Sequence, residues 1–452
     1  MTTDSSGLLK KQKNGGIIMN QVLGVNEKPA ILKWIPLSFQ HLFAMFGATV
    51  LVPYLTGLDP STALFTSGLG TLIFILCTGG QVPAYLGSSF AFIAVIQFVS
   101  KEYGVAYAMG GAIMVGLVYC LFAFLISKIG TKWLDKILPP VVIGSIIIVI
   151  GLGLAPTAID MAMTGGTGQY NITYLLIAGV TLAIAIVTSV FSQGFLSVIP
   201  VLVGIIGGYL FSLLIGEVQL ESVAQANWFG LMKFVTPKFN FNAILAFLMV
   251  SMVTIAEHLG DVLVLSKVAG ENFYKKPGLH RTLLGDGLAT SVAAFFGGPP
   301  NTTYGENIGV MAISRVYSVW VVGGAAVMAI TLSFFRKFGA LIQSIPVPVM
   351  GGISIMLFGV IASSGLRTLV ESGIDYGDKR NLLISSVILV LGIGGAKIEI
   401  GNFSLQGMAL AALVGILLNL ILPSSNSIDG DGKSKDGESE IESATKEVAT
   451  EK

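Results

Sequence analysis

The sequence predicts an all-α polytopic membrane protein of about fourteen transmembrane segments, arranged as a 7+7 inverted repeat. Three observations predict it. The 452 residues are 53% hydrophobic and only 11% charged, with a mean hydropathy of +0.82. A soluble domain carries roughly 25% charged residues, so this chain lacks the polar surface that would dissolve it. Apolar stretches of helical length recur along it, broken by Gly, Pro or charge. Finally, stretches of the first half reappear in the second.

The same composition excludes other classes. A net charge of +1 gives no basic field for a nucleic acid. Cys77 and Cys120, the two cysteines, sit inside apolar runs and suggest neither a disulfide nor a zinc site. The 56 glycines suit close helix approach in lipid. No His-Glu-x-x-His pattern or aspartate-rich metal motif points to a membrane enzyme, and no metal or cofactor is expected.

In order along the chain, residues 1–28 are polar and lysine-containing and read as a disordered N-terminus without a cleaved signal. The first half, 29–216, holds spans 31–53, 60–78, 82–98, 105–127, 139–156, 172–191 and 195–216. The second half, 217–423, holds 243–266, 281–297, 300–314, 317–335, 344–364, 381–397 and 404–423. Residues 424–452, with eight acids and four lysines, read as a disordered tail. With the N-terminus inside, 20 of the 26 basic residues fall on cytoplasmic segments, which predicts an even number of spans and both termini cytoplasmic. Trp34, Trp133 and Trp228 fall near span ends, as an interfacial belt requires.

The repeat is explicit in two places. Leu138-Pro-Pro-Val-Val-Ile-Gly144 recurs as Pro346-Val-Pro-Val-Met-Gly-Gly352, and Gly151 matches Gly359 at the same offset of 208. Val203-Gly204-Ile205 resembles Val414-Gly415-Ile416 at an offset of 211. Because seven is odd, the second copy must enter the membrane from the opposite side. Secondary transporters are built this way.

Spans three and ten are the defective ones. Val82-Pro-Ala-Tyr-Leu-Gly-Ser-Ser-Phe90 and Pro299-Pro-Asn-Thr-Thr-Tyr-Gly-Glu-Asn-Ile-Gly309 are short and rich in Pro, Gly and hydroxyls. Extended backbone at membrane depth is tolerated only where it is buried or lines a cavity. Its free N–H and C=O groups are expected to serve as ligands, so the pair marks a site at the midplane. Carboxylates within the spans sharpen this. Glu257 and Asp261 share one face of span eight, and Glu306 lies in span ten. Next to them, His258 reads as a structural hydrogen-bonding group, His41 as either structural or functional, and Asp286 as a solvated residue at the start of span nine.

These residues also carry a resemblance. Asn301-Thr-Thr-Tyr-Gly-Glu-Asn-Ile-Gly-Val-Met-Ala312 resembles the signature of the nucleobase–ascorbate transporter family, in its bacterial uracil permease branch. Similarity extends to Gln40-His-Leu-Phe-Ala-Met-Phe-Gly-Ala-Thr-Val50, Pro83-Ala-Tyr-Leu-Gly-Ser-Ser-Phe-Ala-Phe92 and Ala256-Glu257-His258. The resemblance implies a core domain and a gate domain, with short strands in segments three and ten. It implies a plasma (inner) membrane importer of uracil driven by proton symport, commonly a homodimer. Backbone N–H groups of Phe90 and Gly305 and the carboxylates of Glu257 and Glu306 would hold the base, and Glu257 with Asp261 would carry the proton. His41, Ala48, Ser88, Tyr304 and Asn307 are the candidate supporting residues.

Two positions depart from the branch pattern. Asp261, as in the purine branch, stands where uracil permeases generally have histidine, and Ser314 stands where threonine is usual. Against the purine pattern, Glu306 stands where purine members usually have glutamine. A purine or xanthine symporter is therefore the rival reading within transporters, and sodium is the rival coupling ion. A channel is the rival outside them.

Overall fold

In the computed structural model, which describes residues 23–194, 196–400 and 403–423, the chain builds fourteen segments. The first half comprises Ile31–Thr56, Pro60–Cys77, an interrupted third segment, Val105–Ile129, Pro140–Thr164, Ile172–Phe191 and Pro200–Leu214. The second comprises Phe241–Ala269, Leu279–Phe295, an interrupted tenth segment, Val319–Ser333, Val347–Glu371, Lys379–Ile393 and Gly407–Ile421. Seven of these helices are long and apolar enough to cross a bilayer by themselves. Segment three is strand β1 (Leu86–Ser88), a 3₁₀ turn (Phe90–Phe92) and the helix Ile93–Glu102; segment ten is strand β2 (Asn301–Thr303) and the helix Gly305–Ser314.

Local chemistry sets these boundaries. Asp59 caps the second segment through Ser61 N–H at 3.2 Å, and Asn240 caps the eighth through two N–H groups. Segments two, five and seven open with a proline in the first turn, where its missing N–H costs nothing. In lipid a free hydroxyl would be costly, and the buried Thr71, Ser145, Thr181 and Ser354 each donate to the carbonyl four residues back.

The packing divides the segments into two bodies. One, the core, groups segments one to four with eight to eleven; the other, the gate, groups five to seven with twelve to fourteen. The pairings repeat when each segment is advanced by seven. Segment nine lies on four as two lies on eleven; eight lies on four as one lies on eleven; thirteen lies on five as six lies on twelve. The repeated glycines do equivalent work: Gly204 of segment seven packs against Thr181 and Ala185 of segment six, and Gly415 of fourteen against Ile388 of thirteen. A Cβ at either position would collide, so the repeat seen in the sequence is a repeat of close helix approach.

Several details differ from the sequence reading. Residues 23–28 are ordered: Leu23 bridges Val316, and Leu23 and Val25 carbonyls accept from Tyr317 and Val319 N–H, both at 2.9 Å. This extended strip binds the free backbone edge of the loop between segments ten and eleven. Disorder of 1–22 and of the tail 424–452 concerns residues outside those described. A hairpin of β3 (Lys397–Ile400) and β4 (Phe403–Gln406) follows segment thirteen, where the sequence reading ran that span on to 397. Gly394 and Gly395 end the helix there, and the alternating Lys-Ile-Glu-Ile that follows suits a strand.

Candidate functional site

The site begins with two broken segments that repair each other. β1 and β2 pair antiparallel at Leu86↔Thr303, Gly87↔Thr302 and Ser88↔Asn301. Ser89 N–H donates to the Pro300 carbonyl at 2.9 Å, and Tyr304 N–H to the Tyr85 carbonyl at 3.0 Å. Side chains close the remainder: Thr71 Oγ1 accepts from Leu86 N–H at 2.9 Å, and Asn301 Nδ2 donates to the Thr66 carbonyl at 3.0 Å. The sequence reading expected the extended backbone itself to offer free groups. That expectation is corrected, because most of these groups are committed to the ladder and its neighbours. What the breaks provide is the start of two half-helices, at Phe90 and Gly305, whose first N–H groups have no partner within their own helix.

Tyr304 fixes the geometry of the break. Its hydroxyl donates to the Ser88 carbonyl at 2.9 Å and accepts from Thr49 Oγ1 at 3.2 Å, while Ser88 Oγ donates to the Thr49 carbonyl at 3.2 Å. Segments one, three and ten are tied at this point. The ring lies across Gly87, where a Cβ would come within 2.5 Å of Cε2. Only glycine admits this contact. Ser88 and Tyr304 therefore hold the scaffold, and Ala48 is buried in the same wall.

His41 and Asn307 form a second tie between segments one and ten. Asn307 Nδ2 donates to His41 Nδ1 at 3.0 Å and to the His41 carbonyl at 3.1 Å. With Nδ1 accepting, the imidazole proton sits on Nε2. Both side chains are buried.

The carboxylates gather beside the half-helices. Glu257 has Asp261, Asp286 and Glu306 as its charged neighbours, and its buried Oε2 has no hydrogen-bond partner. Glu306 lies in the first turn of its half-helix, where the helix dipole favours an anion. Gly305, immediately before it, is exposed, and a Cβ built there would meet nothing within 4 Å. Open space thus adjoins both a helix N-terminus and an acid. Phe90 faces the gate, its ring edge-on to Phe358 of segment twelve at 5.9 Å. An apolar cavity of about 280 Å³ between core and gate, lined by Ala91, Phe98, Leu154, Val250 and Met408 among others, approaches this point but contains no acid.

Asp261 and Asp286 behave differently from each other. Asp261 accepts a hydrogen bond from Thr303 Oγ1 of β2 at 2.9 Å, a partner that the sequence reading missed. Asp286 is not solvated, as was expected at the start of a span. It is fully buried, 3.1 Å from His258 Nδ1. Gly285 and Gly287 on either side let segments two and four close over it. These two glycines were the available sign in the sequence.

Comparison with known proteins agrees with this architecture. The profile described as "Permease family" matches residues 32–401. The chain is 58% identical to the uracil permease of Bacillus caldolyticus, over 89% of this chain and 95% of that one. It is 55% identical to the uracil permease of Bacillus subtilis (strain 168), over 90% and 97%. It is 49% identical to that of Escherichia coli (strain K12), over 89% and 94%. Among solved structures, the transmembrane domain of the cyanobacterial bicarbonate transporter BicA aligns with a TM-score of 0.62 at 14% identity, covering 88% of this chain and all of that one. SLC26A9 aligns with a TM-score of 0.67 at 11% identity, covering 86% and 65%. At such identities these two speak for the fold alone. The chain belongs to the permease family of nucleobase–ascorbate transporters, and it is a multi-pass membrane protein.

Proposed function

We propose that this protein imports uracil across the plasma membrane by proton symport, with both termini in the cytoplasm. The observation that carries the reading is the buried, unpartnered Oε2 of Glu257, next to Glu306 and to the open space before Gly305. Glu257 Oε2 lacks a donor, Glu306 stands beside it, and two half-helices open at this point. Uracil presents two ring N–H donors and two carbonyl acceptors, and so complements that set group for group. A site of this kind rejects an analogue that lacks one partner by several orders of magnitude. The names and the 49–58% identity of the relatives support the same substrate.

Glu257, or Asp261 one turn away, receives the proton, the base binds, and the core moves against the gate as two inverted halves exchange roles. One charge moved through 100 mV supplies about 2.3 kcal/mol, enough for roughly 40-fold accumulation at about 1.4 kcal/mol per decade. Asp261 keeps the purine reading in view. Uptake of labelled uracil in a permease-deficient host, competed with xanthine, thymine and hypoxanthine, decides between the bases. The same assay run with and without sodium, and across pH, decides the coupling ion. Competition by xanthine alone would overturn the uracil reading. Cross-linking of the purified protein in bilayers tests the homodimer.

A further inference from the structure

The residue that follows Glu257 is His258, and its surroundings are unusual. His258 on segment eight and Asp286 on segment nine are both 0% exposed, with Nδ1 and Oδ2 3.1 Å apart. Neither oxygen of Asp286, nor Nδ1 of His258, has a well-aligned hydrogen bond. On the other side of the ring, Nε2 lies 3.0 Å from Thr282 Oγ1, which lies 3.0 Å from the Leu279 carbonyl.

The Thr282 hydroxyl has one proton to give. If it goes to the Leu279 carbonyl, Nε2 must supply its own hydrogen. Nδ1 then faces the carboxylate bare, unless a further proton lies between them. If the hydroxyl turns to Nε2 instead, Nδ1 carries the ring's only proton and holds it beside Asp286. Both arrangements put a proton in the gap. The remaining one would press two lone pairs together at 3.1 Å with no water to separate them.

The groups facing this pair make the proton matter. Tyr119 of segment four faces both Asp286 and Glu257. Cys77 of segment two lies beside Gly285, and Cys120 of segment four beside Gly287. Glu257, Asp261 and Glu306 complete the cluster. Among these groups His258 alone can carry positive charge, so compensation of Asp286 falls to it. Successive helical residues point about 100° apart, so holding His258 against segment nine also fixes where Glu257 points.

We propose that His258 and Asp286 share a proton and together act as the positioning pair of Glu257, shielding it from the Asp286 charge. The proposal rests on the reading of Glu257 as the residue that binds the base, and its test separates the two. The chain has three histidines, so ¹⁵N-histidine labelling of the intact protein in bilayers gives a readable spectrum. His41→Gln and His280→Gln assign the His258 signals by elimination. We expect Nδ1 of His258 to be of the N–H type in the intact protein, and an unprotonated Nδ1 overturns the shared proton.

The positioning role is read from uracil binding. His258→Gln should weaken it about tenfold or more and move its pH profile, because the Asp286 charge is left uncompensated. The double variant His258→Gln/Asp286→Asn removes that charge, and should return to the parent's pH profile with most of the affinity regained. A double variant no better than His258→Gln alone would make the pair mere packing and overturn the role. If the parent protein itself bound no uracil, the substrate reading would fall, while the spectrum would still decide the proton.

Discussion

Segments three and ten have one backbone plan and two chemistries. Each contributes a three-residue strand and then a half-helix, and the two strands bond to each other. Segment three is neutral at its turn, with Phe90, Ala91 and Phe92. Segment ten places Gly305, Glu306 and Asn307 at the same point. Its Tyr304 reaches back over Gly87, whereas the Phe90 ring turns outward to the gate. The difference teaches that the repeat supplies a symmetric cradle of helix N-termini, and that departures from symmetry supply the recognition. Segment eight adds Glu257 to the acidic side, and segment one answers with His41 and Thr49, which bind other protein groups.

The strongest way to break this comparison is Glu257→Gln. The amide cannot exchange a proton, so accumulation should fall from the roughly 40-fold that one charge supports to equilibrium, while binding in detergent survives in part. Accumulation at parent levels, measured by labelled uptake against a gradient, would remove Glu257 from the coupling step.

Glu306→Gln tests the asymmetry directly. If Glu306 holds the base, the change should weaken a charge-assisted hydrogen bond of roughly 1.5–3 kcal/mol, which corresponds to about a 10- to 150-fold loss of uracil affinity. The Phe90 and Gly305 amides are untouched, so the protein should still fold. Calorimetry within about twofold of the parent would mean that the acidic side of segment ten does not touch the base.

Gly87→Ala tests the shared cradle instead. The new methyl meets the Tyr304 ring at 2.5 Å, and overpacking of this kind costs about 1–3 kcal/mol. We expect a lower melting temperature together with loss of binding. Gly87→Ala/Tyr304→Ala should recover part of the stability. No recovery would mean that Tyr304 is not what Gly87 accommodates.

The smallest effect is expected from Thr303→Val, which removes the 2.9 Å hydrogen bond to Asp261 and keeps the side-chain shape. A loss of about 0.5–1.5 kcal/mol would lower uracil affinity roughly 2- to 12-fold. If Asp261→Asn gives the same loss and the double variant adds nothing, the two act as one unit. Additive losses would show that Asp261 works independently of the strand.

The repeat, the fourteen segments and the interrupted pair were legible in the sequence because each depends on residues near in sequence. Apolar runs set span length, and Pro, Gly and hydroxyl clusters set the breaks. Glu257 and Glu306 stood out for a similar reason: a carboxylate within an apolar run is conspicuous without any neighbour being known. Asp286 was misread because its run begins near Arg281, and a charge close to a span end looks solvated from sequence alone. Thr303 gave no signal, since a threonine in a polar break has many ordinary uses.

By itself the sequence determined how many times the chain crosses the membrane, where two crossings fail, and that Glu257, Asp261 and Glu306 lie within spans. Each follows from the local cost of placing backbone or charge in hydrocarbon. The tertiary structure alone decided which of those costs are relieved by protein. It pairs β1 with β2 across more than two hundred residues, closes segments two and four over Asp286, and gives Asp261 a hydroxyl partner. It leaves Glu257 Oε2 without one. Whether a buried polar group is structural or open to a substrate depends on the distance and angle of its neighbours. Here those neighbours lie on other segments, whose approach is set by small residues such as Gly87, Gly285 and Gly287.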